Sequence, residues 1–172
     1  MTTSMRTNTA DTIAMRDFTA SLPMALLQAR EATMRLFRPL LAEHGLTEQQ
    51  WRVLRALSAS TEPLEVGAIV DATFLLAPSL SRILKDLEGR DLVLRSPVAA
   101  DQRRAEISLT DAGYELVATV APASEAIYNQ IEGTLGDRAL QRLLRELAAL
   151  RKTTEQIGNV STPGVLALGS DQ

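Results

Sequence analysis

The chain has 172 residues, 45% of them apolar, a formal net charge of −3, no cysteine and a single histidine, His44. That length supports one domain with a core, or a small domain with accessory helices, and the composition excludes disulfides, thiolate metal sites and thiol redox switches. One histidine is too few for a zinc site, no apolar run approaches the roughly 20 residues that span a bilayer, and the N-terminus lacks a signal-type apolar core, so a cytoplasmic protein without metal, cofactor or membrane is expected.

Residues 1–20 are polar, threonine-rich and aperiodic, which predicts a flexible segment. Leu22, Leu26, Ala29, Phe37, Leu40 and Leu41 then recur at helical spacings, predicting a first helix to about Glu43 with Pro39 inside it and His44-Gly45 as the stop. Thr47-Glu48-Gln49-Gln50 reads as a capping box, because the threonine hydroxyl can accept the third amide while the glutamine reaches back. Trp51, Leu54 and Leu57 mark the second helix, ending near Ala59. After the turn at Glu62-Pro63, a short third helix is expected from Leu64 to Thr73.

The fourth helix is predicted to open at Pro78, where a missing amide costs nothing, with Ala77 biased out of the helical region, and to end near Gly89 or Arg90. Period-two alternation over Leu92 to Arg95 and Ala105 to Leu109 predicts two strands, with Leu92, Leu94, Ile107 and Leu109 facing a core and the residues from Pro97 to Arg103 forming the hairpin loop. Thr110 caps a long helix to about Gly133, with Pro122 inside it. Asp137 opens a last helix whose Leu140, Leu143, Leu144, Leu147 and Leu150 form a stripe, and residues 158–172 predict a disordered tail.

The predicted order, α-α-α-α-β-β-α-α, is mainly helical, and a helix followed by a basic-tipped hairpin is the grammar of a winged helix-turn-helix. Residues 46–110 would form the DNA-binding domain, and residues 21–45 and 111–157 a helical dimerisation region. With Leu80 at the centre of the buried face of the fourth helix, Ile83, Leu84 and Leu87 share that face. Pro78, Ser79, Ser81, Arg82 and Lys85 then face outward: an arginine can take guanine bidentately, serine is adaptable and lysine reaches phosphate. Arg103 and Arg104 would present cations from the wing, with Asp101 as a brace. Double-stranded DNA is therefore the first partner expected. The stretch from Ala56 to Thr110 holds 6 basic and 8 acidic residues, but from Ala77 to Arg104 the balance is 6 to 4. This near-neutrality also fits the alternative, a winged helix used for protein interaction without specific DNA binding. The leucine-rich terminal helices have little else to bury against, so a homodimer is expected, with recognition helices roughly 34 Å apart on a pseudo-palindrome. No nucleophile–base pair, metal set or phosphate loop suggests an enzyme.

These residues resemble the MarR family of winged-helix regulators over roughly residues 22–151. The likeness is carried by PSLSRILKDLEGRDLV from Pro78 to Val93 and DQRRAEISLTDAG from Asp101 to Gly113, with Asp101-x-Arg103, Leu109-Thr110 and Gly113 the most specific part. LLQAREA from Leu26, FRP from Phe37 and LTEQQWR from Leu46 resemble, more narrowly, the homoprotocatechuate-degradation repressors. Glu88 and Asp91 depart from the family's more basic or neutral pattern. The resemblance implies a repressor of an aromatic catabolic operon, released from DNA by 4-hydroxyphenylacetate, homoprotocatechuate or a related aromatic acid held between the dimer helices and the DNA-binding lobe. Such an acid needs a cation and an apolar or aromatic wall. Arg30, His44 and Trp51 are the candidates, with Arg16 a further option. Each has a structural alternative: Trp51 in the core, Arg30 in an ion pair with Glu31, His44 favoured at a helix C-terminus by the dipole.

Overall fold

The computed structural model describes residues 17–98 and 101–160, apart from the side chains of residues 98, 101–103, 159 and 160. Among the described residues, six helices and three strands follow in order: α1 (Leu22–Glu43), α2 (Glu48–Ser58), β1 (Leu64–Glu65), α3 (Val66–Thr73), α4 (Ala77–Gly89), β2 (Val93–Val98), β3 (Asp101–Leu109), α5 (Asp111–Leu135) and α6 (Asp137–Val160). They form two compact units, one ending at Ser124 and the other beginning at Glu125.

The first unit is built largely on the expected apolar positions, joined by Val53, Ile69 and Val93. Phe37 and Leu41 of α1, Trp51, Val53, Leu54 and Leu57 of α2, Ile69 of α3, and Leu80, Leu84 and Leu87 of α4 are buried with Leu92, Val93, Ile107 and Leu109. A fully buried leucine contributes about 1.5–3 kcal/mol relative to an exposed one, so these side chains dominate the stability of the unit. Thr47 caps α2 as the sequence indicates: its hydroxyl accepts from the Gln50 amide at 3.2 Å, and the Thr47 amide donates to Gln50 Oε1 at 2.8 Å. At the end of α1, Gly45 takes φ 63°, and the amides of Gly45 and Leu46 donate to the carbonyls of Ala42 and Leu41, which closes the helix.

Four expectations are corrected. The third helix starts at Val66, because Leu64 and Glu65 form β1, paired antiparallel with Ile107 and Glu106 of β3. Two residues are too few to show an alternation. α4 includes Ala77, one residue earlier than expected, with Leu76 as its N-cap. The strands also extend through most of the supposed hairpin loop, since β2 continues through Pro97 to Val98 and β3 begins at Asp101. Pro97 is tolerated because the sheet order is β1-β3-β2, leaving β2 at an edge, and the register shifts between Pro97 and Val98.

The fourth correction concerns Leu94, which is 55% exposed while Val93 is buried. α4 closes with Asp91 at φ 57°, the Asp91 amide donating to Glu88 O and the Leu92 amide to Leu87 O. This arrangement pulls Leu92 inward as the apolar partner of the helix end, so the strand alternation restarts at Val93 and turns Leu94 outward.

In the second unit α6 runs to Val160, past the expected boundary at residue 157. Its Leu143, Leu144 and Leu147 are exposed in the single chain, as are Leu22, Leu26, Leu27 and Leu36 of α1. Pro39 and Pro122 lie inside α1 and α5.

Candidate nucleic-acid interface

α3 and α4 are joined by Phe74-Leu75-Leu76 and bent by 110° to one another, the geometry of a helix-turn-helix. The turn is held from inside. Thr73 is buried, its hydroxyl donates to Ile69 O at 2.6 Å, and Arg52 Nη1 of α2 donates to Thr73 O at 2.9 Å. A guanidinium on a carbonyl at the C-terminal end of α3 satisfies an acceptor that the helix leaves open. Arg52 thereby ties α2 to the turn that aims α4, a role with no local sequence signal because its partner lies 21 residues away.

The outward face of α4 is as the spacing indicates: Pro78, Ser79, Ser81, Arg82 and Lys85 are all exposed, opposite buried Leu80, Leu84 and Leu87. Ser81 donates to Ala77 O at 3.0 Å, which leaves its lone pairs outward. Arg82, Lys85, Asp86, Gly89 and Arg90 line a shallow recess of about 440 Å³. Arg82 and Lys85 have no ion-pair partner among the described residues, whereas Arg90 lies 3.9 Å from Asp86 and donates to Gly45 O at 3.0 Å. Asp86 in turn accepts from Gln50 Nε2 at 2.6 Å, so this acid faces the α2 cap as well as the recess.

On the sheet, Arg104 is exposed but engaged. Its Nε donates to Glu65 Oε2 at 2.9 Å and its Nη2 to Glu65 Oε1, a two-pronged pair between β3 and β1. The hydrogen bonds to Glu65 hold the Arg104 guanidinium above its ordinary pKa. In this state Arg104 is a strut of the wing and not a free cation. Arg95 of β2 is exposed without an ion-pair partner among the described residues, a cation that its place in a period-two strand run does not distinguish. The brace expected of Asp101 and the contact expected of Arg103 fall on side chains outside the described residues. Replacing Glu65 by glutamine should release Arg104, with a small fall in melting temperature and a log affinity–log salt slope for DNA that steepens by about 0.9 per protomer. An unchanged slope would show that the freed Arg104 does not reach phosphate.

Of the candidate ligand residues, Arg30 sits in a network linking α1 to α2. Arg30 pairs with Glu31 at 2.5 Å and Glu48 at 2.6 Å, while Arg38 pairs with the same two carboxylates at 2.5 Å each. The Arg38 hydrogen bond is the main cause that lowers the Glu31 pKa. These four residues line a cleft of about 470 Å³ with Leu41, Ala42, Leu46, Thr47 and Gln49. The Glu31 pair was foreseeable as a sequence neighbour, whereas Arg38 and Glu48 join through the fold. Trp51 is in the core at 7% exposure, with the Arg55 guanidinium 5.8 Å from its ring centroid. His44 is the half-buried C-cap of α1 and does not line the cleft. Arg16 lies outside the described residues.

A helix-turn-helix whose second helix exposes Pro78, two serines, Arg82 and Lys85 on one face, with an adjoining antiparallel hairpin, defines a winged helix-turn-helix protein. The chain belongs to the MarR family, whose profile matches residues 44–104, and it is therefore a transcriptional regulator and not an enzyme. It is 40% identical over 139 residues to the homoprotocatechuate degradative operon repressor of Escherichia coli, covering 79% of this chain and 93% of that one. Among solved structures, NadR in complex with 4-hydroxyphenylacetate matches with a TM-score of 0.70 at 33% identity, over 80% of this chain and 99% of NadR. The repressor CouR bound to a 23-mer DNA duplex matches with a TM-score of 0.70 at 25% identity, over 80% and 99% of the two chains. Among the described residues, no single helix is long and apolar enough to cross a membrane.

Proposed function

We propose that the protein is a cytoplasmic, homodimeric repressor of an aromatic catabolic operon, released from a pseudo-palindromic operator by 4-hydroxyphenylacetate, homoprotocatechuate or a related aromatic acid. The observation that carries the DNA part is the exposed face of α4, with Arg82 and Lys85 unpaired among the described residues, on a turn held by Arg52. The E. coli repressor and the NadR complex support the effector class, and the exposed leucines of α1 and α6 support the dimer. The cleft between α1 and α2 supplies what such an acid needs: Arg30 and Arg38 as cations, and Leu41 and Leu46 as apolar wall. An incoming carboxylate would compete with Glu31 and Glu48 for the two arginines and so disturb the tie between α1 and the DNA-binding lobe.

Fluorescence polarisation on the DNA upstream of the protein's own gene, with and without 4-hydroxyphenylacetate, tests this reading. Salt-dependent binding that weakens about tenfold with the acid is the expected outcome, requiring only about 1.4 kcal/mol of coupling. Arg30→Ala should lose most of the response to the acid, while Arg38, which still bridges Glu31 and Glu48, holds α1 to α2 and sustains DNA binding. Absent or salt-insensitive binding would favour a winged helix used for protein interaction; binding without release by phenylacetate-type acids would remove the sensor.

A further inference from the structure

The helix-turn-helix turn carries two large apolar residues on the outside, Phe74 at 74% exposure and Leu76 at 77%, on either side of half-buried Leu75. Each occupies a position that local chemistry would give to another residue. Phe74 closes α3 at φ 53° and ψ 30°, the left-handed region that favours glycine or asparagine and that bulky side chains avoid. Leu76 is the N-cap of α4, where serine, threonine, aspartate or asparagine would accept an amide proton, and it makes no side-chain cap. Neither residue contributes much to the core. Two departures from the locally favoured residue within one three-residue turn, both turning apolar surface into water, indicate a use outside the fold.

The backbone around them is held by hydrogen bonds. The Phe74 amide donates to Val70 O at 2.8 Å, and the preceding Thr73 carbonyl is held by Arg52, so the left-handed bend that turns the phenyl ring outward is fixed. The patch is continuous with the DNA-facing surface of α4, passing from Leu76 through exposed Ala77 and Pro78 to Ser79, Ser81 and Arg82. No acidic residue lies in the first turn of α4. The N-terminal end of a recognition helix is the part that reaches the base edges. The apolar group that the major groove offers there is the C5-methyl of thymine.

We propose that Phe74 and Leu76 read thymine methyl groups, adding a specificity element to the Arg82 and Lys85 face. This rests on the DNA-binding reading above, and the test separates the two. The full-length protein is used to select duplexes randomised over about 30 base pairs, three DNA turns. Each thymine of the selected site is then replaced by deoxyuridine, which keeps the base pair and removes the methyl group, and affinity is read by fluorescence polarisation.

At one or two thymines per half-site the wild type should lose about fourfold, the effect of one buried methyl. Leu76→Ala and Phe74→Gly should bind the selected site more weakly and be indifferent to those same replacements, with the salt slope unchanged. Phe74→Gly should not melt below the wild type, since glycine accepts the left-handed conformation, so loss of discrimination cannot be put down to unfolding. A wild type indifferent to deoxyuridine at every thymine would overturn the proposal, as would variants that keep the wild-type sensitivity. Weaker binding by Leu76→Ala with no methyl dependence would assign the patch to the sugar-phosphate backbone and equally overturn it. Failure to enrich any duplex would remove DNA binding itself, and this proposal with it.

Discussion

Replacing Gly113 by alanine should cost about 3 kcal/mol or more and lower the melting temperature by about 10 °C. Gly113 is buried in the first turn of α5, and a Cβ built there would lie 2.1 Å from Leu92 O, 3.1 Å from Leu92 C and 3.2 Å from Leu109 Cδ2. Neither carbonyl atom can swing away as a side-chain tip would. The Leu92 carbonyl also accepts the Thr110 amide at 3.2 Å, while Thr110 Oγ1 donates to Asp91 O at 2.6 Å and accepts from the Gly113 amide at 3.0 Å. Moving α5 to make room would therefore break the junction that ties the end of α4, the start of β2 and the end of β3 to one another. Gly133, in the same helix, has nothing within 4 Å of its built Cβ, so Gly133→Ala should be stabilising by about 0.5–1 kcal/mol. Thermal melts of the two variants make an internally controlled pair. A Gly113→Ala protein that melts within two degrees or so of the wild type would show that the close approach relaxes at no cost.

The same junction shows where the sequence was legible. Thr110 as a cap and Asp111 as the first residue of a helix follow from residue types that act on their own backbone, as do the Thr47 box and the stop at Gly45. Helix faces were equally readable, since Leu80, Leu84 and Leu87 repeat often enough to fix the buried side of α4 and thereby its exposed side. What could not be read depended on partners distant in the chain. β1 exists because Leu64 and Glu65 find Ile107 and Glu106, and Leu94 is exposed because Asp91 turns left-handed and resets the alternation.

For the candidate site, residue type located the cations but not what they touch. Arg82 and Arg104 read alike in the sequence, but Glu65 holds Arg104 while nothing acidic among the described residues pairs with Arg82. The neighbour Glu31 is the partner of Arg30 that the sequence suggests, but the ties of Arg30 and Arg38 to Glu48, across 18 and 10 residues, link α1 to α2. The near-neutral charge of the central third is in part paired internally, acids and cations alike. Glu65 and Asp86, two of its acids, are spent on Arg104 and on Gln50 and Arg90.

On that sorting, Arg82→Ala should weaken operator binding by about 10- to 100-fold per half-site, corresponding to about 1–3 kcal/mol for a bidentate contact to guanine. Arg82 lies in the second turn of α4, one turn beyond Pro78, central on the exposed face and free to extend. Its planar fork matches O6 and N7 of guanine, which lysine cannot copy, so Arg82→Lys should recover little of the loss. Lys85, one turn further along, is a point charge suited to phosphate. Lys85→Ala should weaken every duplex by a similar factor and flatten the log affinity–log salt slope by about 0.9 per protomer. Arg82→Ala should leave that slope nearly intact and relax the preference at one base pair of each half-site, because removing a base contact erases information while removing a phosphate contact erases only affinity. Titrations at several salt concentrations, on the operator and on duplexes changed at single base pairs, separate the two residues. A salt slope that falls on loss of Arg82, with the base preference intact, would move that side chain from the groove floor to the backbone and leave the reading of sequence to the serines and the apolar turn.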